Sequence, residues 1–253
     1  MPSNTPNFAL PYPLPADPAD VPSDIQALAM ALDTLLNSGR GFGKAPTRTV
    51  LATAGSGTYN TPAGCRALLV ECIGAGGGTP ALSINPTNAG VGGGGGGGAY
   101  AASVIPTPAA SYPYTVPTNG PATANAKAGA SIFGANLVVA DGGSAGSAVA
   151  TAGFNNVGGA LGGQAAACVG QIVLPGSDGG IALVISPTQV TPPYGGAAAR
   201  GGGGTAPTGG NANRPGTQGK DPGGGAGGSW VITSGTVAGA GGGKGLIVVT
   251  ELY

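Results

Sequence analysis

The sequence predicts a mainly β protein built around a bundle of polyglycine-II-type helices, preceded by a short α-helix and an extended Pro-rich arm. Three observations carry that reading. Glycine and proline supply 54 and 23 of 253 residues, yet charged residues are only 7% and the net charge is zero, whereas a disordered chain pairs low hydrophobicity with high charge. Two apolar runs, "RALLVECIG" (66–74) and "KGLIVVTELY" (244–253), stand near the two ends of the glycine-rich region and read as partner strands. Between them, glycine blocks at 92–98, 158–163, 195–204, 223–228 and 239–245 alternate with glycine-poor stretches, an alternation that a flexible linker does not need.

The first element is residues 1–22, rich in Pro and nearly free of Gly, which predicts an extended attachment arm. Residues 23–44 follow as a helix and linker. In "SDIQALAMALDTLLNSG", Ser23 or Asp20 suits the N-cap and Gly39 the C-terminal cap, while Ile25, Leu28, Leu32 and Leu35 recur at heptad spacing. A helix of about four turns is marginal alone in water, so this stripe packs either on its own domain or on copies of itself. The spacing leaves two- and three-stranded seams equally open.

Residues 45–253 make the third region. Besides the outer strands, weaker β signals lie at 112–116, 131–143, 170–176 and 181–186. Glycine adopts a left-handed extended helix like polyproline II, with three residues per turn and every N–H and C=O pointing sideways. Without a Cβ, neighbouring helices approach closely and pair those groups. Ordering seven residues costs about 7–14 kcal/mol of backbone entropy, while each hydrogen bond returns about 1 kcal/mol net. One such helix therefore stays disordered, and a bundle bonded on several sides does not. The chain has no collagen-like Gly-X-Y repeat.

Catalytic chemistry is not encoded here. "GGSAG" at 142–146 matches a nucleophile elbow around Ser144, but the chain contains no histidine. "AGAGGGKG" at 238–245 lacks the first glycine and the Mg²⁺-binding Ser or Thr of a phosphate loop. Cys65, Cys72 and Cys168 lack metal-ligand spacing and read as buried or inert thiols. The carboxylates of the glycine-rich region, Glu71, Asp141, Asp178, Asp221 and Glu251, form no pair in sequence. No cofactor, metal or catalytic residue is expected. Nine scattered Lys and Arg predict no nucleic-acid partner, and no apolar run is long enough to insert in a membrane. Met1 is followed by no basic start and no apolar h-region, so the expectation is synthesis in a cytoplasm without a signal peptide.

The ordered series "GTYNTPAGCRALLVECIGAGGG", "GGGGGGGAYAASV", "YPYTVPTNG", "SIFGANLVVADGG", "GQIVLPGSDGG" and "GGGKGLIVVTELY" resembles the glycine-rich domain of bacteriophage and prophage tail-fibre proteins. The resemblance covers about 48–253, and the Pro-rich arm with "DIQALAMALDTLL" is similar to the attachment ends of short fibre proteins. It implies a virion-attached fibre, a homotrimer, bound to other tail or baseplate proteins through residues 1–39. It also implies host recognition, of a surface glycan or outer-surface protein, by the glycine-poor segments 79–89, 147–157, 186–194 and 229–234. Phe154, Asn155, Asn156, Gln189, Tyr194 and Trp230 are the contact candidates there, a set suited to stacking and amide hydrogen bonding. For Trp230, plugging the bundle is an equal alternative. A structural fibre or decoration protein with no receptor role is the competing function.

Overall fold

The computed structural model describes residues 3–4, 11–12, 21–37, 45–207, 213–232 and 234–253, and it is mainly β. Within the arm, Ser3–Asn4 pairs antiparallel with Pro11–Tyr12, and Gly39 lies outside the described residues. The α-helix spans Val21–Asn37. It begins two residues before Ser23, which therefore sits inside the first turn rather than at the cap; Pro22 suits that turn, where backbone N–H groups have no helical partner. Ile25, Leu28 and Leu32 are exposed in the single chain, and the side chain of Leu35 lies outside the described residues.

The described residues between 45 and 253 stack in three layers. The base is a β-sandwich. Its five-stranded antiparallel sheet runs in the order Ile172–Leu174, Tyr100–Pro106, Ala67–Ile73, Leu246–Leu252, Thr47–Leu51. A four-stranded sheet, Val138–Ala140, Ser131–Phe133, Ser111–Val116 and Gly55–Asn60, covers one face of it. The two outer strands expected to be partners are direct neighbours, with Ile73 opposite Leu246 and Ala67 opposite Leu252. Alternation sends Leu68, Val70, Cys72, Ile247 and Val249 inward onto Phe133, Val116 and Val138. Phe133 is flanked by Tyr59 and Tyr112, with ring centroids 5.8 and 5.2 Å away.

Above the base lie the glycine segments, and their hydrogen bonding differs from a β-ladder. The N–H groups of Gly92, Gly95 and Gly98 donate to the carbonyls of Ser229, Ala226 and Gly223. Those of Gly93, Gly96 and Ala99 donate to Ser147, Ser144 and Asp141. Each neighbour is thus met at every third residue, where a β-strand meets the same neighbour at every second. The carbonyls of 93–99 accept in turn from Gly74 and Gly77, from Ala160 and Gly163, and from Gly196, while Gly97 donates to Ser177. The central segment is therefore ringed by six others: 74–79, 142–147, 158–163, 175–180, 193–198 and 222–228. A Cβ on Gly95 or Gly96 would fall under 3.0 Å from the carbonyl oxygen of Gly77 or Leu161. Only hydrogen fits at those positions.

The third layer is formed by the chain between glycine segments. Ala148–Thr151, Ala89–Gly92 and Trp230–Val231 make one small sheet; Asn155–Val157, Ala182–Ser186 and Gln189–Thr191 make another; Gly235–Val237 pairs with Leu82–Ile84. Segments 93–98, 142–147 and 238–245 each join a base strand to a distal one, which puts the two β layers at opposite ends of the glycine segments.

Candidate functional site

Register fixes what each pole displays. Strand Leu246–Leu252 leaves the glycine layer at Leu246, and Thr47 lies opposite Glu251 near its far end, so the chain enters the base at the pole remote from the distal layer. At the other pole, Ala89 opposes Thr151, Ile84 opposes Gly235, and Ser186 opposes Gln189. The connections 85–88, 152–154 and 187–188 therefore share the distal end with Ile232 and Ser234, which flank the strands Trp230–Val231 and Gly235–Val237. All four glycine-poor segments contribute to it.

These segments are strands with buried faces rather than uniformly displayed surface. Val91, Val157, Val184, Trp230 and Ile232 share one core, and Leu82, Ile84, Val231 and Val237 a second. Trp230 is only 5% exposed, so of its two sequence readings the structure supports the packing role, and it offers no face to a ligand; it fills the distal core rather than the glycine layer. Phe154, at 73% exposure, stands fully outward. Asn155 and Asn156 are exposed beside it, and Asn155 opposes Val184 in the strand that also carries the Gln189 pairing. Phe154, Asn155, Asn156 and Gln189 therefore belong to one sheet and its turns. Tyr194 is exposed but sits lower, where its carbonyl accepts from Gly180 N–H (2.8 Å) at the shoulder of the glycine layer. Ile185 is also exposed on this end; its short apolar run hides in sequence which members face out.

No Asp, Glu, Lys, Arg or His occurs in 79–92, 147–157, 181–194 or 229–237. The nearby exception is exposed Arg214, whose backbone pairs with Trp230. What this pole presents is aromatic, amide and hydroxyl chemistry on small sheets with packed inner faces.

Elsewhere the carboxylates serve the scaffold. Asp141 pairs with Lys127 (2.9 Å) and accepts from Gln164 N–H (3.0 Å). Asp178 accepts from Gly162 N–H and Asp221 from Lys244 N–H, each at 2.8 Å. Glu71 is held by Tyr100 Oη (2.8 Å), Arg200 and Arg48. Burial and that hydrogen bond push the Tyr100 hydroxyl up to about 12. Glu251 faces the sandwich interior and accepts from Tyr59 (2.7 Å), Thr49 (3.1 Å) and Thr47. Burial alone would raise its carboxyl, but the hydroxyl donors outweigh burial and hold it below the ordinary value. Burial also pushes the Cys72 and Cys168 thiols up, away from the thiolate form that reacts.

Among the described residues, no three His, Cys, Asp or Glu side chains converge on a metal-binding geometry, and no helix is long and apolar enough to cross a membrane. A groove of about 290 Å³ runs along the glycine layer beside Asn125, Ser144, Ser147 and Leu161. It contains no ionisable group. The chain matches no protein-family model and no curated protein.

Proposed function

We propose that the chain is a bacteriophage virion fibre protein, attached through its N-terminal region and presenting its distal layer for host-surface recognition. The observation that carries this reading is polarity: the chain enters at one pole, and the segments with side-chain variety converge at the other, across a layer of glycine. In this reading the glycine layer is a polyglycine-II-type bundle, supported by three-residue hydrogen-bond repeats and by backbone approaches that exclude a Cβ. Such a bundle is a rigid spacer whose outline depends little on the chemistry of its ends. Residues 1–39 attach the fibre to tail or baseplate proteins, and Ile25, Leu28, Leu32 and Leu35 join copies, in a homotrimer. The distal pole meets a surface glycan or outer-surface protein through Phe154, Asn155, Asn156 and Gln189, with Tyr194 at its margin. With no charge in its segments, this pole works by stacking, amide hydrogen bonds and shape, and its binding should depend little on salt.

The experiment replaces 85–88, 152–154 and 187–188 with Gly/Ser sequences of equal length and measures adsorption of the mutant particles to host cells, beside particle yield and domain melting. Adsorption is expected to fall about tenfold or more with yield and melting retained. Unchanged adsorption would overturn the recognition role and favour a structural fibre without a receptor.

A further inference from the structure

The five-stranded base sheet has a second face, whose centre the chain itself covers and whose flanks are exposed. Register places Ile172, Ala102, Glu71, Val248 and Val50 in one row across that face. Leu174, Tyr100, Ile73 and Leu246 form the next row, and Val104, Leu69, Thr250 and Arg48 the row on the other side. Arg200 reaches over the middle to Glu71, and Ile73, Ala102 and Val248 beneath are buried. Around that centre, Ile172, Val50, Leu174 and Val104 are 58, 55, 50 and 41% exposed. An apolar sheet face of this kind is covered in a stable β architecture.

We infer that this face is an interface between copies of the chain. Three observations point to a second copy as the occupant. The edge strand that supplies Val50 is joined to the helix by about nine residues, a reach of at most ~30 Å. The exposed helix stripe and the exposed sheet face therefore lie within one short tether of each other, and association of like helices brings like sheets together. The areas also fit. Three strands of seven residues, one of five and one of three, about 4.8 Å apart, present ~450 Å², the covered centre included, and one side of a 17-residue helix adds ~250 Å². With the covered centre left out they come to about 600 Å² per partner, the lower end of specific interfaces. Finally, the glutamate on the face is already paired with Arg200, so its burial leaves no isolated negative charge, and the second cation, Arg48, lies on the edge strand with its side chain 52% exposed, where an interface rim stays wet.

This inference extends the self-association part of the proposed function, and its test separates the two. Sedimentation equilibrium of the full chain at micromolar concentration is compared for the parent, a Val104→Asp/Ile172→Asp variant and an Ile25→Asp/Leu32→Asp variant. All four positions are exposed in the chain, and melting curves check that the fold persists. The sheet-face variant is expected to associate about tenfold or more weakly than the parent. If it associates normally while the helix variant dissociates, the sheet-face interface is overturned and the helix seam stands. If only the sheet-face variant dissociates, the interface stands and the helix seam falls. Maleimide labelling of Val104→Cys, with the parent chain as the native-thiol control, reads the occupant. Labelling that slows as the oligomer forms supports a second copy. A monomeric parent overturns the inference whether labelling is slow, which would mean cover by the chain's own helix, or fast, which would mean no cover by this chain.

Discussion

The base sandwich and the glycine layer hold together by opposite means. In the base, Phe133, Leu68, Val70 and Ile247 are fully or nearly fully buried side chains, and cohesion is apolar packing. In the glycine layer, side chains are largely missing and cohesion is backbone hydrogen bonding to several neighbours at once. A side-chain core absorbs change, because a smaller residue leaves a cavity that neighbours partly fill. A backbone core has nothing to yield. At Gly95 and Gly96 the space of a methyl group is already occupied by another segment's carbonyl.

That contrast sets the order of expected damage. Replacing Gly95 and Gly96 by valine should cost more than any single change in the sandwich, well beyond about 4 kcal/mol, and should prevent folding of the three-layer unit. Soluble expression and thermal melting check this, and an unaltered melting temperature would show that the glycine segments do not bear on stability. Phe133→Ala should cost about 3–5 kcal/mol, since it empties the ring site between Tyr59 and Tyr112. If denaturant melts ranked Phe133→Ala above the glycine pair, the contrast would be reversed.

Glu251 sharpens the comparison from the polar side. Its carboxyl is held below its ordinary value in the folded chain. The stabilisation it gives is therefore complete above the ordinary value of 4.5 and is lost as pH falls through the lower, folded value. Glu251→Gln should cost about 2–3 kcal/mol at neutral pH and flatten the acid limb of the melting-temperature curve. The backbone-to-backbone hydrogen bonds of the glycine layer join uncharged groups and contribute no such limb. An acid limb as steep in the variant as in the parent would remove Glu251 as its source.

Several features were legible because they reside in side chains. The Leu/Ile/Val runs marked Ala67–Ile73 and Leu246–Leu252, and the weaker β signal over 131–143 marked Ser131–Phe133 and Val138–Ala140, which the fold closes into a hairpin through Gly134 and Asn136 at positive φ. Strands such as Tyr100–Pro106 and Gly55–Asn60 were not anticipated, since "YAASVIP" and "GSGTYN" alternate small residues with a few large ones and carry little β signal alone. They become strands because they lie beside stronger ones.

By itself the sequence determined where the chain is glycine, where it is apolar and where the helix falls. Those properties are local, written in composition and spacing. Tertiary structure alone decided which glycine segments ring 93–98, because segments without side chains carry no code for choosing a neighbour and take the neighbour that their flanking strands deliver. It also decided the fate of look-alike residues. Glu71 and Glu251 end similar strands, yet register turns one outward to two arginines and the other inward to a ring of hydroxyls. Phe154 and Trp230 occur in similar glycine-poor stretches, yet one is displayed and the other is core. A strand's period of two assigns residues to faces, but only packing against a second layer says which face is buried.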